Sequence, residues 1–293
     1  MRRLPLVLVI AAVAVLPPSL VRQVSAQSSG PQHAVPPQQA QANIAARRLS
    51  HLRRGINLSG WFSQVADTRG YTRQHFISHT TSADIALIKA MGFDHVRLSI
   101  NPQPMLREGE ADAIQPELLG YLDEAVRSIL ANGLAVILDI HPEVEFKTRL
   151  AKDDGFVERF GDFWRAFAKH YSALDTKLVF FEILNEPELQ DRYRWAGMQA
   201  KLAAAIREGA PQNTIIAAGA RWSADDDLLF LEPLPDANVI YGFHFYEPHI
   251  FTHQGANWGW ISGISRTGWP IHRRQNQRKR WPPGSLKQPT ACM

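Results

Sequence analysis

The chain has 293 residues, 45% hydrophobic and 10% aromatic, with a formal charge of +4 and a sequence pI near 9.3. That length holds one large domain or two small ones, and the apolar content excludes a disordered chain. The charge sits at the ends: residues 1–26 carry three Arg and no acid, seven Lys or Arg and no acid follow Glu247, and the body between has 22 basic and 28 acidic residues. The pI is therefore no argument for nucleic-acid binding.

The single cysteine, Cys292, excludes an intrachain disulfide, a cysteine zinc site and a CxxC redox motif. Eight Trp residues are available to stack sugar rings, or equally to fill a core.

Met1-Arg2-Arg3, the apolar run Leu4 to Leu16 and the small-residue site Val24-Ser25-Ala26 read as a secretory signal peptide over 1–26, too short for a comfortable membrane span. An uncleaved anchor is the alternative. Export places the mature chain outside the cell or in a periplasm. Residues 27–48, rich in Gln, Pro and Ala, read as a flexible linker, and a folded domain is expected over 49–265.

From there strand-like and helix-like segments alternate, as in an α/β fold with a parallel sheet. Strands are expected at Gly55–Ser59, His95–Ile100, Leu134–Ile140, Leu178–Phe181, Thr214–Ala218 and Val239–Tyr246. Helices are expected at Ser82–Met91, Pro116–Ala131, Gly155–Tyr171 and Tyr193–Glu208, with a charged loop after Pro142. Strand alternation carried past Phe181 puts Glu182, Leu184 and Glu186 on one face. No glycine-rich phosphate loop follows the first strand, so a nucleotide-binding sheet is disfavoured. Polar groups collect at strand ends instead: Arg97, His141, Asn185 with Glu186, then His244 and Tyr246. Groups spread over four strands converge if the sheet closes, which favours a (β/α)8 TIM barrel. His75, His79 and His141 form no metal motif, and neither a metal nor a cofactor is expected.

The ordered segments GINLSG, HVRLSI, DIHPE, FFEILNEPE and YGFHFYEP, spanning about 53–257, resemble glycoside hydrolase family 5, the endoglucanase-type barrels of clan A. The resemblance implies a β-linked polysaccharide as substrate, β-1,4-glucan first, with mannan and β-1,3-glucan behind it. Glu186 is then the acid/base and Asn185 the partner of the sugar 2-OH. Arg97 and Tyr246 would steady the nucleophile, and His141 and His244 would order the subsite network. The residues alone leave other readings open. Arg97 can be a buried salt-bridge residue and His244 a core histidine, while Trp222, Trp258 and Trp260 are sugar platforms or, for Trp222, core.

The family nucleophile is a Glu ending strand seven, yet no Asp or Glu follows Glu247. Residues 266–293 form a basic tail without strand or helix periodicity. A frameshift or early stop would leave the barrel without strands seven and eight and expose two sheet edges. A genuine tail for anionic surfaces is the alternative. Glu143, Glu145 and Glu247 lie near strand ends as possible substitutes, Glu247 first. The expected function is thus an exported, retaining, cellulase-like hydrolase. Its alternative is a truncated, catalytically impaired relative that at most binds glucan.

Overall fold

The computed structural model describes residues 44–106 and 114–253. The chain divides into two units, Met1–Phe245 and Tyr246–Met293. The expected leader (1–26), most of the linker and the basic tail (266–293) lie outside the described residues, as do Trp258 and Trp260.

Six strands form one sheet in sequence order: β1 (Gly55–Phe62), β2 (His95–Ile100), β3 (Ala135–Ile140), β4 (Val179–Glu182), β5 (Thr214–Ala218) and β6 (Val239–Gly242). Every neighbouring pair is parallel. Six helices connect or flank them in the first unit: α1 (Arg73–His79), α2 (Ser82–Ala90), α3 (Pro116–Ala131), α4 (Val144–Lys152), α5 (Asp154–Tyr171) and α6 (Arg192–Gly209). This is the strand-helix order of a (β/α)8 barrel, six of whose strands fall within the described residues.

β2 and β3 are buried at every position; β3 reads as a nearly continuous apolar run broken at Asp139, whereas β2 alternates Val96, Leu98 and Ile100 with His95, Arg97 and Ser99. Alternation sorts their side chains into two cores. Val136, Leu138, Val179, Phe181 and Ile215 pack outward against the helices. Ala135, Ile137, Phe180, Ile216 and Ile240 meet on the inner face, where Leu52 and Ala45 join them. Asp139 follows Ile137 on that inner face and Glu182 follows Phe180, and the two are in register across β3 and β4. A charged layer therefore sits directly above an apolar plug.

The strand tips are held from behind by helices. Trp164 Nε1 of α5 donates to the Ile183 carbonyl at 3.2 Å, and Trp195 Nε1 of α6 to the Ala218 carbonyl at 2.8 Å. Gln199 Oε1 accepts from the Ala218 amide at 2.9 Å, so the end of β5 is satisfied without a further strand residue. α5 and α6 meet closely at Gly209, where an added Cβ would run into the Arg165 carbonyl oxygen and lie 2.8 Å from the Lys169 amide. Gly209→Ala is expected to cost about 1–3 kcal/mol through overpacking. An unchanged urea midpoint would show that the helices can part there.

Several boundaries differ from the sequence reading. The folded part starts before residue 49: residues 44–48 are helical, and Arg48 is buried, donating to the Gln212 carbonyl and to the hydroxyls of Thr214 and Thr176. The charged loop after Pro142 is helix α4, whose Phe146 and Leu150, one turn apart, face the core. α1 was also unassigned; Thr72 caps it and its His75 and Phe76 are buried. Thr81, not Ser82, caps α2, through a capping box with Asp84. β6 ends at Gly242, four residues short of Tyr246. β4 ends at Glu182, so the alternation expected through Glu186 fails, and Leu184 packs in the outer core.

Candidate active site

Arg97 stands on β2 with its side chain 9% exposed. Its Nε and Nη2 grip Glu182 at 2.8 and 2.7 Å, Nη2 also donates to Asn185 Oδ1 at 3.0 Å, and Nη1 reaches Asn57 Oδ1 at 3.1 Å and Asp139 Oδ2 at 3.0 Å. Four of the five guanidinium N–H donors are thus hydrogen-bonded, and Asp139 adds an ion pair at 3.0 Å. Burial opposes its charge, but Asp139 and Glu182 outweigh that and hold the guanidinium above its ordinary range. No seventh strand falls among the described residues, so the expected pairing of Arg97 with a nucleophile there lies outside them; within them Arg97 donates to Asn57, Glu182 and Asn185 and pairs with Asp139.

Asp139 is wholly buried. Burial pushes its carboxyl up, but Arg97 and then His141 draw it below the ordinary value. His141 Nδ1 lies 2.9 Å from Asp139 Oδ2, and its Nε2 lies 3.1 Å from Asn185 Nδ2. Arg97, His141 and Asn185, singled out separately in the sequence, thus form one hydrogen-bonded cluster.

Glu186 follows Asn185 at the mouth, its backbone in the left-handed region at φ 44°. A non-glycine residue there stores about 1–2 kcal/mol, a cost tolerated where a side chain must be aimed. His244 Nδ1 donates to Glu186 Oε1 at 2.7 Å. His244 is itself set by its amide, which donates to the Ser223 carbonyl at 2.7 Å. Burial raises the Glu186 carboxyl, but the His244 hydrogen bond and charge, then Lys147, leave it below the ordinary value. Two residues on, Glu188 accepts from buried Lys147 at 3.0 Å and bridges to Arg221, tying the β4 tip to α4 and to the segment after β5.

A depressed folded-state carboxyl stabilises the fold above the ordinary carboxylate pKa, and that contribution fades as pH falls through the depressed value. His244→Ala removes the main lowering cause and leaves the burial. The Glu186 titration, followed by carboxyl ¹³C shift, is expected to move to higher pH in that variant. An unmoved titration would show that His244 does not control it.

The remaining sequence candidates divide. Trp222 is 45% exposed, with its amide donating to the Pro187 carbonyl at 2.8 Å, so it is not core. Glu143 precedes α4 and Glu145 lies in its first turn, both exposed. Tyr246 and Glu247 belong to the second unit. There Tyr246 packs edge-on against His253 with ring centroids 5.2 Å apart, and Glu247 Oε2 accepts from the His249 amide at 3.2 Å. Among the described residues no His, Cys, Asp or Glu group is arranged to hold a metal ion. No described helix is long and apolar enough to cross a membrane. Sequence reasoning missed roles for Asp139, Asn57, Lys147 and Glu188. For Asp139 a signal existed: it stands two residues before His141, the spacing that shares a strand face.

A parallel barrel that gathers a guanidinium, an amide, two imidazoles and an outward carboxylate at strand C-termini is the architecture of a (β/α)8 enzyme. Residues 57–283 match the family profile Cellulase (glycosyl hydrolase family 5), and the chain belongs to that family. The match continues past residue 265 into the stretch that composition sets apart. Endoglucanase C of Acetivibrio thermocellus is 33% identical over 210 residues, 70% of this chain and 60% of that protein. The chain thus spans about 60% of the length of such curated relatives. Thermotoga maritima Cel5A in complex with cellobiose superposes with a TM-score of 0.65 at 29% identity, covering 74% of this chain and 68% of that one. The same enzyme with mannotriose gives 0.65 at 28% identity, with coverages of 74% and 68%.

Proposed function

We propose that the chain is an exported glycoside hydrolase acting on β-1,4-linked glucan, with Glu186 as acid/base in a retaining mechanism. One observation carries this reading. Of three carboxylates gathered at the tips, Asp139 and Glu182 have side chains 0% and 8% exposed and are bound by Arg97, whereas that of Glu186 is 28% exposed and aimed outward. Glu186, held ionised by His244 in the free site, would take up a proton as substrate binds, pass it to the departing glycosidic oxygen and then, ionised again, take a proton from the attacking water. Asn185, with its amide fixed from both sides, would donate to the sugar 2-OH. That bond strengthens as positive charge develops on the ring. Cellobiose and mannotriose bound to the T. maritima relative support β-linked glucan and mannan as the substrate classes. Residues 1–26 would direct export.

A retaining mechanism needs a second carboxyl about 5–5.5 Å from the first. No Asp or Glu follows Glu247 in the 293 residues, and the Arg97 donors hydrogen-bonded among the described residues go to Asn57, Glu182 and Asn185. This favours a second reading, in which the chain as written keeps the acid/base half and binds glucan with little turnover.

Calorimetric titration with cellotetraose, together with reducing-sugar release from carboxymethyl-cellulose and from mannan, tests both. Binding with release supports the hydrolase, and binding without release supports the impaired form. A folded chain that neither binds nor cleaves either polymer would sink both.

A further inference from the structure

We propose that Asp139 is a positioning residue. It closes a ring of four side chains, Arg97–Asn185–His141–Asp139, that locks His141 in one neutral tautomer and Asn185 in one amide orientation. The consequence for substrate rests on the reading of Asn185 as a sugar-facing group.

The proton count leaves one arrangement. A guanidinium only donates, so the Asn185 atom 3.0 Å from Arg97 Nη2 must be the amide oxygen. That orients Nδ2 toward His141 Nε2 at 3.1 Å. An amide nitrogen also only donates, so Nε2 must carry no proton. A neutral imidazole then holds its proton on Nδ1, 2.9 Å from Asp139 Oδ2. The same oxygen lies 3.0 Å from Arg97 Nη1, and the ring closes where it began. Protonating Nε2 would set two donors face to face. Turning the amide would press its NH2 against the guanidinium. Each error propagates to the next link, so the four groups hold a single state together.

Asp139 carries the closing position at a local cost. Its Oδ1 is buried with no hydrogen-bond partner among the described residues, while Oδ2 bonds His141 Nδ1 and pairs with the Arg97 charge. A side chain kept only for packing would not need a carboxylate there.

The ring also sets what Asn185 can offer. Its oxygen faces Arg97 and one amide hydrogen faces His141, so the second Nδ2–H is the one amide donor without a partner among the described residues. Asn185 therefore meets a sugar hydroxyl as donor, and the hydroxyl must send its own proton elsewhere.

Two-bond ¹H–¹⁵N correlation spectra of the ¹⁵N-labelled chain read the tautomer directly, with His141 assigned by the signals lost in His141→Gln. The expected wild-type pattern is a pyrrole-like Nδ1 and a pyridine-like Nε2. Asp139→Ala removes the Nδ1–H acceptor and its ion pair with Arg97, and the expected result is loss of the single state, with an Nε2–H form appearing wherever the Asn185 amide turns away from Nε2. An Nε2–H tautomer or an imidazolium in the wild-type chain at neutral pH overturns the proposal, and so does a folded Asp139→Ala chain with an unchanged pattern. Should that variant not fold, the wild-type pattern decides. Cellotriose titrated into the same sample separates the two readings. A correct tautomer without any cellotriose response counts against the glucan reading alone. A cellotriose response with the wrong tautomer counts against the ring alone.

Discussion

Arg97→Met is expected to destabilise the fold by about 3–5 kcal/mol at neutral pH, the largest stability effect of any single substitution in the site. The reason is the company it leaves behind. Glu182 and Asp139 are both buried, and both are compensated by the same guanidinium. Methionine fills much of the volume but strands two carboxylates below the surface. The loss should therefore depend on pH. Asp139 is held below its ordinary value in the native chain, so its contribution is present above the ordinary carboxylate pKa and fades as pH falls through the depressed one. In the variant the stranded carboxylates regain protons as the medium is acidified, and the gap from wild type should narrow. Urea midpoints between pH 5 and pH 8 are the measurement. A penalty of constant size across that range would mean lost packing rather than uncompensated charge. Arg97→Lys should recover part of the stability only, since three donors on one nitrogen cannot reproduce a five-donor fork.

How far the sequence carries one depends on where the physics is local. β3 was legible because a strand buried on both faces is apolar nearly throughout, and β2 because Val96, Leu98 and Ile100 alternate with His95, Arg97 and Ser99. The family likeness rests on the same local signals, each a strand followed by polar residues. α4 was lost because its charged residues surround the two that matter, Phe146 and Leu150. β6 was drawn too long because Phe243 to Tyr246 keep the alternation although the backbone has left the ladder. Glu186 was put on the wrong face because its aim comes from a left-handed backbone after the strand has ended.

The ring lay further out of reach. Its members come from three strands and meet only because Arg97 pairs with Ile137, and Asp139 with Glu182, across the sheet. Register is a property of pairs of segments, and one segment read alone does not contain it. The sequence could name Arg97, His141 and Asn185 as polar strand-tip residues. It could not show that Arg97 spends four donors and an ion pair on those neighbours.

Glu186→Gln is expected to lower kcat/KM on unactivated cellooligosaccharides by about 10²- to 10⁴-fold, the usual contribution of a positioned general acid. The fold should survive, because the amide oxygen can still accept from His244 Nδ1, which lies 2.7 Å from Glu186 Oε1 in the native chain. An aryl β-cellobioside whose phenolate departs without protonation should lose less in the bond-breaking step, and this contrast distinguishes a lost acid from a general disturbance. Azide then reports on the second carboxylate. Release from cellooligosaccharide without azide, abolished in Glu186→Gln, would mean that some other carboxylate, Glu247 first among the candidates, completes the site. Aryl cellobioside turnover that appears only with azide and yields the inverted glycosyl azide would mean that the cleft binds glucan and protonates its oxygen but has no carboxylate to attack the anomeric carbon. Unchanged hydrolysis of unactivated substrate by Glu186→Gln would remove Glu186 from the chemistry, and with it the whole reading of the β4 tip.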